Sequence, residues 1–404
     1  MQGVKLSEIV VVGDIHEGIN FGYNIDAEFG ISKRALDIHR NFAKTAKYAI
    51  ENSARLLVVL GDMFDRTHVS PTFRELIRRD VIEPLEKEGI EIWIMAGNHD
   101  QPHGEKKGTS IDDFRGYKNV KVFRKPSVEE IELEGKSLGI IIVPYLHPEQ
   151  VARLVREKEG TEIEREQMFL LGQKLLKQWI NNRCDEFDTD YRILLGHYYL
   201  EGAKLRETAC PEILPGEFSF TRDMIPETLD LAVFGHVHLH QVMGSTPEFI
   251  YTGAIERIDW GERDDKKGFV IISPEKENLW QFRELPVREM VKISLEITSE
   301  EEPTKKILDA IPEKVEEKMF RLEIALDEGV RERISESRIS EKLKGAFYYD
   351  VRWKELSSEK LGYMEFTMNP YQLLRTFLKT NYGEHPKYEQ ILKEGEDALN
   401  EVLG

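Results

Sequence analysis

Five short apolar runs in the sequence each end in a glycine, and the residues that follow can bind metal ions. These residues are Asp14 and His16, Asp62 and Asp65, Asn98, His99 and Asp100, His197, and His236 and His238. In an open α/β sheet, ligands bind beyond the carboxyl ends of the strands, so five such ends would bring these groups together at one edge. The preceding glycine lets the backbone turn sharply and approach an ion closely.

The chemistry of these side chains favours a pair of metal ions. Imidazole, carboxylate and amide ligands without a thiolate favour Mn²⁺, Fe²⁺ or Zn²⁺, and are richer in imidazole than typical Mg²⁺ or Ca²⁺ sites. One ion that keeps an open position cannot use seven ligands, whereas two ions bridged by a carboxylate can, and Asp62 is the natural bridge. The candidate metal ligands are Asp14, His16, Asp62, Asn98, His197, His236 and His238.

The runs that carry these residues belong to a larger set of strand-like segments. Continuous apolar runs of this length are typical of strands that are buried on both faces. The runs lie at 9–12, 56–60, 92–96, 139–145, 192–196, 231–235, 249–253 and 269–273. Helix-like segments alternate with them at 32–52, where Ser32 is a candidate cap, and at 149–182. This alternation predicts a layered α/β domain with a sheet core.

The pattern changes after Leu285–Pro286, where a smaller second domain is predicted. Strand-like and helix-like segments alternate there at 291–297, 303–311, 319–326, 331–345 and 346–353. A helix-like tail follows. We therefore predict a first domain at 1–284, a small α/β capping domain at 285–360 and a helical tail at 361–404 that is a candidate partner-binding segment.

Composition limits the function classes. The chain has 404 residues, of which 40% are hydrophobic and 32% charged, as expected of a soluble globular protein. Two cysteines, no membrane-length apolar stretch and no apolar signal core lead us to expect a cytoplasmic protein without membrane attachment. The net charge of −18 argues against a broad electrostatic grip on nucleic acid. It does not exclude a nucleic-acid enzyme, because bound divalent cations supply local positive charge.

The motif series D-x-H, G-D-x-x-D, G-N-H-D, G-H and G-H-x-H resembles the calcineurin-like metallophosphoesterase superfamily over roughly residues 8 to 275. The alternative, satisfied core histidines and surface acids, would have to place five of the eleven histidines in these motifs by accident. The resemblance implies a layered αββα domain.

Within the superfamily, the sequence is most similar to the SbcD/Mre-eleven nuclease family of double-strand-break repair. The similar segments are 71–85, after the second motif, and 251–272, after the last, and a small α/β domain and a tail then follow. The sequence departs from the family at Glu17, where leucine is common, and at Asp65, where many members carry a histidine tied to exonuclease activity. Thr252 and Ala254 stand where proline and serine are usual. These departures bear on substrate preference more than on the metal site.

The resemblance also implies residue roles. One ion is held by Asp14, His16, Asp62 and His238, and the other by Asp62, Asn98, His197 and His236. His99, beside a ligand but not needed as one, is expected to orient the phosphate and protonate the leaving group. Asp100 is expected to fix the orientation of His99. The alternative for His99 is a purely structural hydrogen bond.

The function implied by the resemblance is a DNA nuclease. It would use two Mn²⁺ ions, with Fe²⁺, Zn²⁺ or Mg²⁺ as alternatives, and act as a double-strand exonuclease and single-strand endonuclease. Expected partners are DNA, an SbcC/Rad-fifty-type ABC ATPase and a second copy of the chain. The rival hypotheses are a stand-alone metallophosphoesterase acting on nucleotides or phosphoproteins, and a scaffold with a degenerate site.

Contacts to DNA are open at this stage. Lys204 and Arg206, and the basic stretch at 118–125, are candidates to contact phosphates, although a charge run is more often a solvated face of the protein. Trp260 is a candidate to stack on a base, with core packing as the alternative.

Overall fold

The computed structural model describes most of the chain before residue 357. The described residues are 8–102, 108–159, 165–206, 218–244, 246–274, 278–299, 302–327, 329–356, 378, 388, 390 and 392–395. The predicted tail at 361–404 therefore lies almost entirely outside the described residues. It stays a prediction, as do the predicted domain boundaries.

Among the described residues before Met290, twelve strands form two sheets of six strands each. The strands are β1 (Ile9–Val12), β2 (Leu56–Leu60), β3 (Glu91–Met95), β4 (Val120–Phe123), β5 (Ser127–Leu133), β6 (Lys136–Val143), β7 (Tyr191–His197), β8 (Leu231–Gly235), β9 (Gln241–Met243), β10 (Glu248–Tyr251), β11 (Gly268–Ile272) and β12 (Trp280–Glu284). All eight strand-like runs of the sequence form strands.

The strand order brings the carboxyl ends of the motif strands together. The first sheet has the order β12-β11-β1-β2-β3-β4, in which β1, β2, β3 and β4 are parallel and β11 is antiparallel to both of its neighbours, β1 and β12. The second has the order β5-β6-β7-β8-β10-β9, in which β6, β7, β8 and β10 are parallel. The loops after β1, β2 and β3 thus leave one edge of the first sheet, and those after β7 and β8 leave one edge of the second.

Helices cover the outer faces of the two sheets. They are α1 (Lys33–Glu51), α2 (Pro71–Ile77), α3 (Glu83–Lys87), α4 (Pro148–Glu159) and α5 (Arg165–Glu186). Side chains of β1 alternate between two cores, because Val10 and Val12 pack with α1 to α3 while Ile9 and Val11 pack between the sheets. A third core joins the second sheet to α4 and α5. The predicted layered α/β architecture is confirmed.

Helix α1 begins where the sequence predicts and is joined to the segment between β10 and β11 by a buried ion pair. The Ser32 hydroxyl accepts a hydrogen bond from the Arg34 backbone N–H at 3.2 Å, which caps the helix. The Arg34 guanidinium donates to the Glu256 carboxylate at 3.0 Å, and Asn41 donates to its other oxygen at 3.3 Å. Arg34 and Glu256 are only 1% and 2% exposed, and the guanidinium has a second carboxylate, that of Asp37, at 3.3 Å.

We expect Glu256→Ala to lower the free energy of unfolding by about 3 kcal/mol, the lower end of the range for breaking a buried ion pair, because the guanidinium of Arg34 loses its closer carboxylate and keeps that of Asp37. Urea denaturation with and without the change measures this difference. Arg40→Ala is the matched control, since the Arg40 side chain is 58% exposed and its ion pair with Asp37 is expected to contribute about 0–1 kcal/mol. Equal losses in the two variants would contradict the expectation.

The helix-like segment at 149–182 forms two helices, α4 and α5, with residues 160–164 outside the described range. The helix predicted at 331–345 is also divided. A 3₁₀ turn at Val330–Arg333 is followed by α7 (Glu336–Lys342), after α6 (Pro303–Ala310) earlier in the chain. The break occurs because Ile334 is extended, with φ −88° and ψ 126°, and the Ser335 N–H donates to the Thr304 hydroxyl at 2.9 Å.

Three further strands, β13 (Met290–Ile297), β14 (Met319–Leu326) and β15 (Tyr348–Glu355), form a sheet in that order. The chain divides into two compact units, each assembled from several segments. The first comprises Met1–Ile293, Ile311–Leu322 and Ser340–Val351, and the second comprises Ser294–Ala310, Glu323–Ile339 and Arg352–Gly404. None of the described helices combines the length and the apolar character that crossing a bilayer requires.

Candidate metal centre

The loops after β1 and β2 are bonded to each other along their backbones. The N–H groups of Ile15 and His16 both donate to the Asp62 carbonyl at 2.9 Å. Asp14, His16 and Asp62 have φ values of 50°, 54° and 49°, a left-handed conformation that non-glycine residues rarely adopt. Such strain persists where the surroundings over-determine it, and it is concentrated at functional sites.

Two of the motif glycines are required by close packing inside the site. A Cβ atom on Gly97 would lie 2.1 Å from Asp62 Oδ1, and one on Gly61 would lie 2.3 Å from His197 Nδ1. Both distances are far below van der Waals contact. The glycines therefore allow the loops after β2 and β3 to approach the side chains of Asp62 and His197 directly.

The side chains of all seven candidate ligands meet in one cluster. Ligand atoms lie within 4.8 Å of one another in the groups Asp14–His16–His238, Asp14–Asp62–His197 and His16–Asp62–His99. Asn98 Oδ1 is 3.0 Å from His197 Nε2 and 3.0 Å from His236 Nδ1, which joins the remaining two candidates to the cluster. Asp62 belongs to two of the three groups, as a bridging carboxylate would.

The ring nitrogens that face the cluster are set by hydrogen bonds on the opposite side of each ring. His197 Nδ1 donates to the Leu60 carbonyl at 2.5 Å, which leaves Nε2 near the Asp62 carboxylate at 3.3 Å. His238 Nδ1 is 2.9 Å from a Glu262 oxygen, and its Nε2 is 3.1 Å from His16 Nε2. Fixing one ring nitrogen in this way makes the other available as a metal ligand.

The buried polar atoms of the cluster fit a cation. Asp14 Oδ2 and His16 Nδ1 are buried and, among the described residues, have no hydrogen-bond partner. Two carboxylates that are at most 2% exposed, Asp14 and Asp62, stand beside imidazole nitrogens that point at one another. Buried groups of this kind are normally paired or coordinate a metal. The mixed nitrogen and oxygen donors suit first-row divalent ions.

The titration behaviour of the cluster reflects burial and the close approach of charges. Burial raises the pKa of Asp14. Burial and the neighbouring His238 hold the pKa of His16 well below its usual range, so its imidazole is neutral, the form that binds metal. Burial lowers the pKa of His197, but the carboxylates of Asp62 and Asp14 and the Leu60 carbonyl together outweigh it and raise that pKa to about 9.

His99 lies at the rim of the cluster. Its backbone N–H donates to Asp62 Oδ1 at 2.9 Å, and its Nδ1 donates to the Asp65 carbonyl at 2.7 Å. Its ring stands edge-on to that of His16, with centroids 4.8 Å apart. Burial lowers the pKa of His99, but the charge of Asp62 and the Asp65 carbonyl outweigh it and the net shift is upward. The ring thus lies beside the cluster, and the Asp65 carbonyl fixes its orientation through Nδ1.

Asp100 does not make the contact with His99 that we expected. Its carboxylate instead accepts the backbone N–H groups of Met63, Phe64 and Gly97, at 3.2, 3.2 and 3.1 Å. Burial and the nearby charge of Asp62 raise its pKa to about 7. The carboxylate therefore holds together the loops after β2 and β3, and the Asp65 carbonyl orients the His99 ring.

Glu262 and Lys267 are site residues that sequence reasoning missed. Glu262 accepts from His238 on one oxygen and from Lys267 Nζ on the other, at 2.9 and 2.8 Å. Lys267 also donates to the His238 carbonyl at 2.9 Å and is fully buried. Burial opposes ionisation of Glu262, but Lys267 and His238 lower its pKa to about 2. The segment 251–272 is similar to the nuclease family, but no rule of sequence spacing predicts a contact between His238 and Glu262, which are 24 residues apart.

We expect Glu262→Ala to weaken Mn²⁺ binding by about 10- to 100-fold, because the His238 ring loses the carboxylate that orients it. Titration calorimetry on chelator-treated protein measures this. Glu248→Ala is the control, since Glu248 accepts from the exposed edge of Trp280, at 2.7 Å, and touches no candidate ligand. Unchanged Mn²⁺ affinity in a folded Glu262→Ala protein would remove Glu262 from the site.

Three of the six basic residues that are candidates for DNA contact form ion pairs with acidic residues. Arg206 pairs with Asp265, Lys121 with Glu129 and Arg124 with Asp112. Lys118, Lys125 and Lys204 are exposed. The Arg321 guanidinium lies over the Trp260 ring at 4.5 Å, so intramolecular stacking occupies one face of this indole.

Comparisons with known proteins agree with this geometry. The sequence profile described as calcineurin-like phosphoesterase matches residues 7–240. The chain is 25% identical to the DNA double-strand break repair protein Mre11 of Archaeoglobus fulgidus, over 90% of this chain and 80% of that protein. It is 24% identical to one of the subunits of the nuclease SbcCD of Bacillus subtilis, over 56% of this chain and 58% of that protein.

A solved structure, that of a dimetal phosphatase from Danio rerio, is also similar to part of the chain. The match has a TM-score of 0.36 and 9% identity, and it covers 67% of this chain and 93% of that one.

Proposed function

Because the chain belongs to the calcineurin-like phosphoesterase family, we propose that it is a metal-dependent nuclease that hydrolyses DNA phosphodiesters in double-strand-break repair. The observation that carries the proposal is the buried cluster in which Asp62 is shared between two groups of candidate ligands. The similarity to a repair protein over 90% of the chain supports DNA as the substrate.

In this proposal two ions occupy the cluster. Asp14, His16, Asp62 and His238 would hold one, and Asp62, Asn98, His197 and His236 the other. When bound, such ions polarise a phosphate and lower the pKa of a water molecule, which supplies the attacking hydroxide. We propose Mn²⁺ as the metal, as the family resemblance implies. The combination of several imidazoles with carboxylate and amide oxygens suits Mn²⁺, and it suits Fe²⁺ and Zn²⁺ as well.

His99 is the protein side chain that we propose as the proton donor in this reaction. An alkoxide leaving group needs a proton, and an imidazole within hydrogen-bonding reach is the usual donor. His99 has its Nδ1 fixed on the Asp65 carbonyl, so Nε2 is the nitrogen available to a substrate. The bond from its backbone N–H to Asp62 keeps it beside the cluster.

The finer assignments belong to the same proposal. We propose double-strand exonuclease and single-strand endonuclease activities, action with an SbcC/Rad-fifty-type ABC ATPase, and a homodimer. The name of the Bacillus subtilis relative, which describes one part of a nuclease of several subunits, supports a partnered enzyme. We further propose residues 1–284 as the nuclease domain, 285–360 as a capping domain and 361–404 as the partner-binding tail.

A second candidate function is a stand-alone phosphoesterase acting on nucleotides or phosphoproteins. The net charge of −18 favours it, together with the acidic partners of Arg124 and Arg206, since both features weaken a grip on DNA. The same cluster would serve this reaction.

One assay distinguishes the two functions. End-labelled single- and double-stranded DNA is incubated with purified protein in Mn²⁺ or Mg²⁺, alongside an aryl phosphodiester and an aryl phosphomonoester. We expect Mn²⁺-dependent cleavage of DNA. Turnover of the phosphomonoester with intact DNA would contradict the nuclease proposal in favour of the second candidate.

A further inference from the structure

A row of three titratable side chains, those of Glu17, His39 and Asp80, leads from the β1 loop into the helical layer, outside the set of candidate ligands. Glu17 follows His16 directly, is 0% exposed, and has its Oε1 2.5 Å from His39 Nδ1. His39, on α1, is 2.9 Å from Asp80 Oδ2 through its Nε2. Both nitrogens of one buried imidazole are thus engaged by carboxylates.

Asp80, the outermost of these three side chains, lies in an unusual backbone turn. It lies in a single π-helical turn at Arg78–Ile82, between α2 and α3. The guanidinium of Arg79 donates to both of its oxygens, at 2.7 and 2.6 Å. Single π-turns within helices are often found at functional sites.

Glu17, the innermost of these three side chains, is bonded through its backbone to the loop after β2. The Glu17 N–H donates to the Met63 carbonyl at 3.0 Å, and the Glu17 carbonyl accepts from the Asp65 N–H at 3.0 Å. The side chain of Glu17 extends this connection to α1. A glutamate is costly to bury, so its presence here requires a reason beyond filling space.

The reason that the geometry offers is the strained conformation of His16. This residue has a φ of 54° and places its Nε2 3.1 Å from that of His238. A left-handed conformation at a non-glycine residue persists only when its neighbours over-determine it. Glu17 is the adjacent residue, and it is fixed by its backbone and by its side chain.

We propose that Glu17 and His39 are positioning residues for the metal centre, which hold the His16 loop in its ligating conformation from the helical layer. This inference rests on the proposed function, because it assumes that His16 binds a metal ion. It goes beyond the candidate ligands by assigning a role to a glutamate at a position where the family commonly has leucine.

The test compares Mn²⁺ binding in three variants by titration calorimetry on chelator-treated, full-length protein. Glu17→Ala removes the contact with His39. Glu17→Gln keeps an oxygen that accepts from His39. Glu256→Ala is the matched control, because Glu256 is an equally buried glutamate whose cation, Arg34, also lies on α1, but it borders no candidate ligand.

We expect Glu17→Ala to weaken Mn²⁺ binding by about 10-fold, the lower end of the range for residues that support metal ligands. Glu17→Gln and Glu256→Ala should both bind Mn²⁺ as tightly as the unsubstituted protein does. If either alanine variant fails to fold, leucine at the same position removes the contact while filling the space. If Glu17→Leu also fails to fold, His39→Gln tests the same row of side chains.

Unchanged Mn²⁺ affinity in folded Glu17→Ala would overturn the inference, and so would an equal loss in Glu256→Ala. Failure of the proposed function looks different. If the unsubstituted protein binds no Mn²⁺, both the proposed function and the role of Glu17 and His39 are overturned. Protein that binds Mn²⁺ but leaves DNA intact would overturn only the choice of substrate, and the comparison of affinities would stand.

Discussion

His99→Ala is expected to reduce DNA cleavage at saturating Mn²⁺ by about 10²- to 10⁴-fold, the usual contribution of a positioned acid or base. Two Mn²⁺ ions should still bind. The backbone N–H that donates to Asp62 is present in alanine as well, so the loops of the cluster keep their connection. Initial rates and calorimetric stoichiometry, measured on the same preparations, give both quantities.

The control for this variant is His68→Ala, an exposed histidine three residues after Asp65. It is expected to cleave DNA at the unchanged rate. Metal and activity lost together in His99→Ala would mean that His99 is itself a ligand, which its place in the group with His16 and Asp62 also allows. Activity retained with metal bound would leave it a structural residue.

Asp62→Asn is expected to weaken both ions together, by more than the roughly 100-fold that marks the upper end for supporting residues. Asp62 lies in two of the three ligand groups, and its lost charge would have served both ions. The change preserves size, so the loss reflects charge and coordination more than packing. Cleavage should fall with metal occupancy and recover in part at high Mn²⁺.

Calorimetry on Asp62→Asn gives the number of ions and their affinities. Asp230→Asn is the control, because Asp230 is an exposed carboxylate that accepts the Arg192 backbone N–H at 2.7 Å, outside the ligand cluster. Loss of one ion with the other unchanged would show that Asp62 serves a single ion. Two ions at unchanged affinity would remove it from the site.

The sequence predicts the buried part of the fold well because its signal is strong there. The run IVVV of β1 is buried at every position, and such runs need no partner to be recognised. Strand β5, SVEEIEL, was missed because it exposes alternate residues and carries three glutamates. Strand β4 escapes prediction for a similar reason, since its VKVF run is short, has only one buried residue and lies within a basic stretch.

In the candidate site, too, some features can be predicted from the sequence and others cannot. Glycine followed by a potential ligand, at the end of a buried strand, predicts where side chains such as Asp14 and His197 meet, because parallel strands fix where their ends lie. Their role as ligands stays a prediction. The contacts of Glu262 with His238, and of Glu17 with His39, depend on packing between segments distant in sequence, and no local spacing encodes them.

The expectation that Asp100 orients His99 is wrong, because sequence adjacency does not show which side chains are in contact. Adjacency to His99 suggested a contact between the two side chains. Consecutive residues in a tight turn diverge, however, and Asp100 accepts backbone N–H groups of the loops around it. The neighbour of His99 that orients it is the carbonyl of Asp65, 34 residues away in sequence.

The proposed reaction requires that the cluster hold two metal ions that share Asp62. Anomalous diffraction from Mn²⁺-soaked crystals, collected on both sides of the manganese absorption edge, tests it most directly. We expect two anomalous peaks, one within bonding distance of Asp14, His16 and His238 and the other of Asn98, His197 and His236, with Asp62 between them. A single peak, no peak, or peaks away from these side chains would contradict this arrangement.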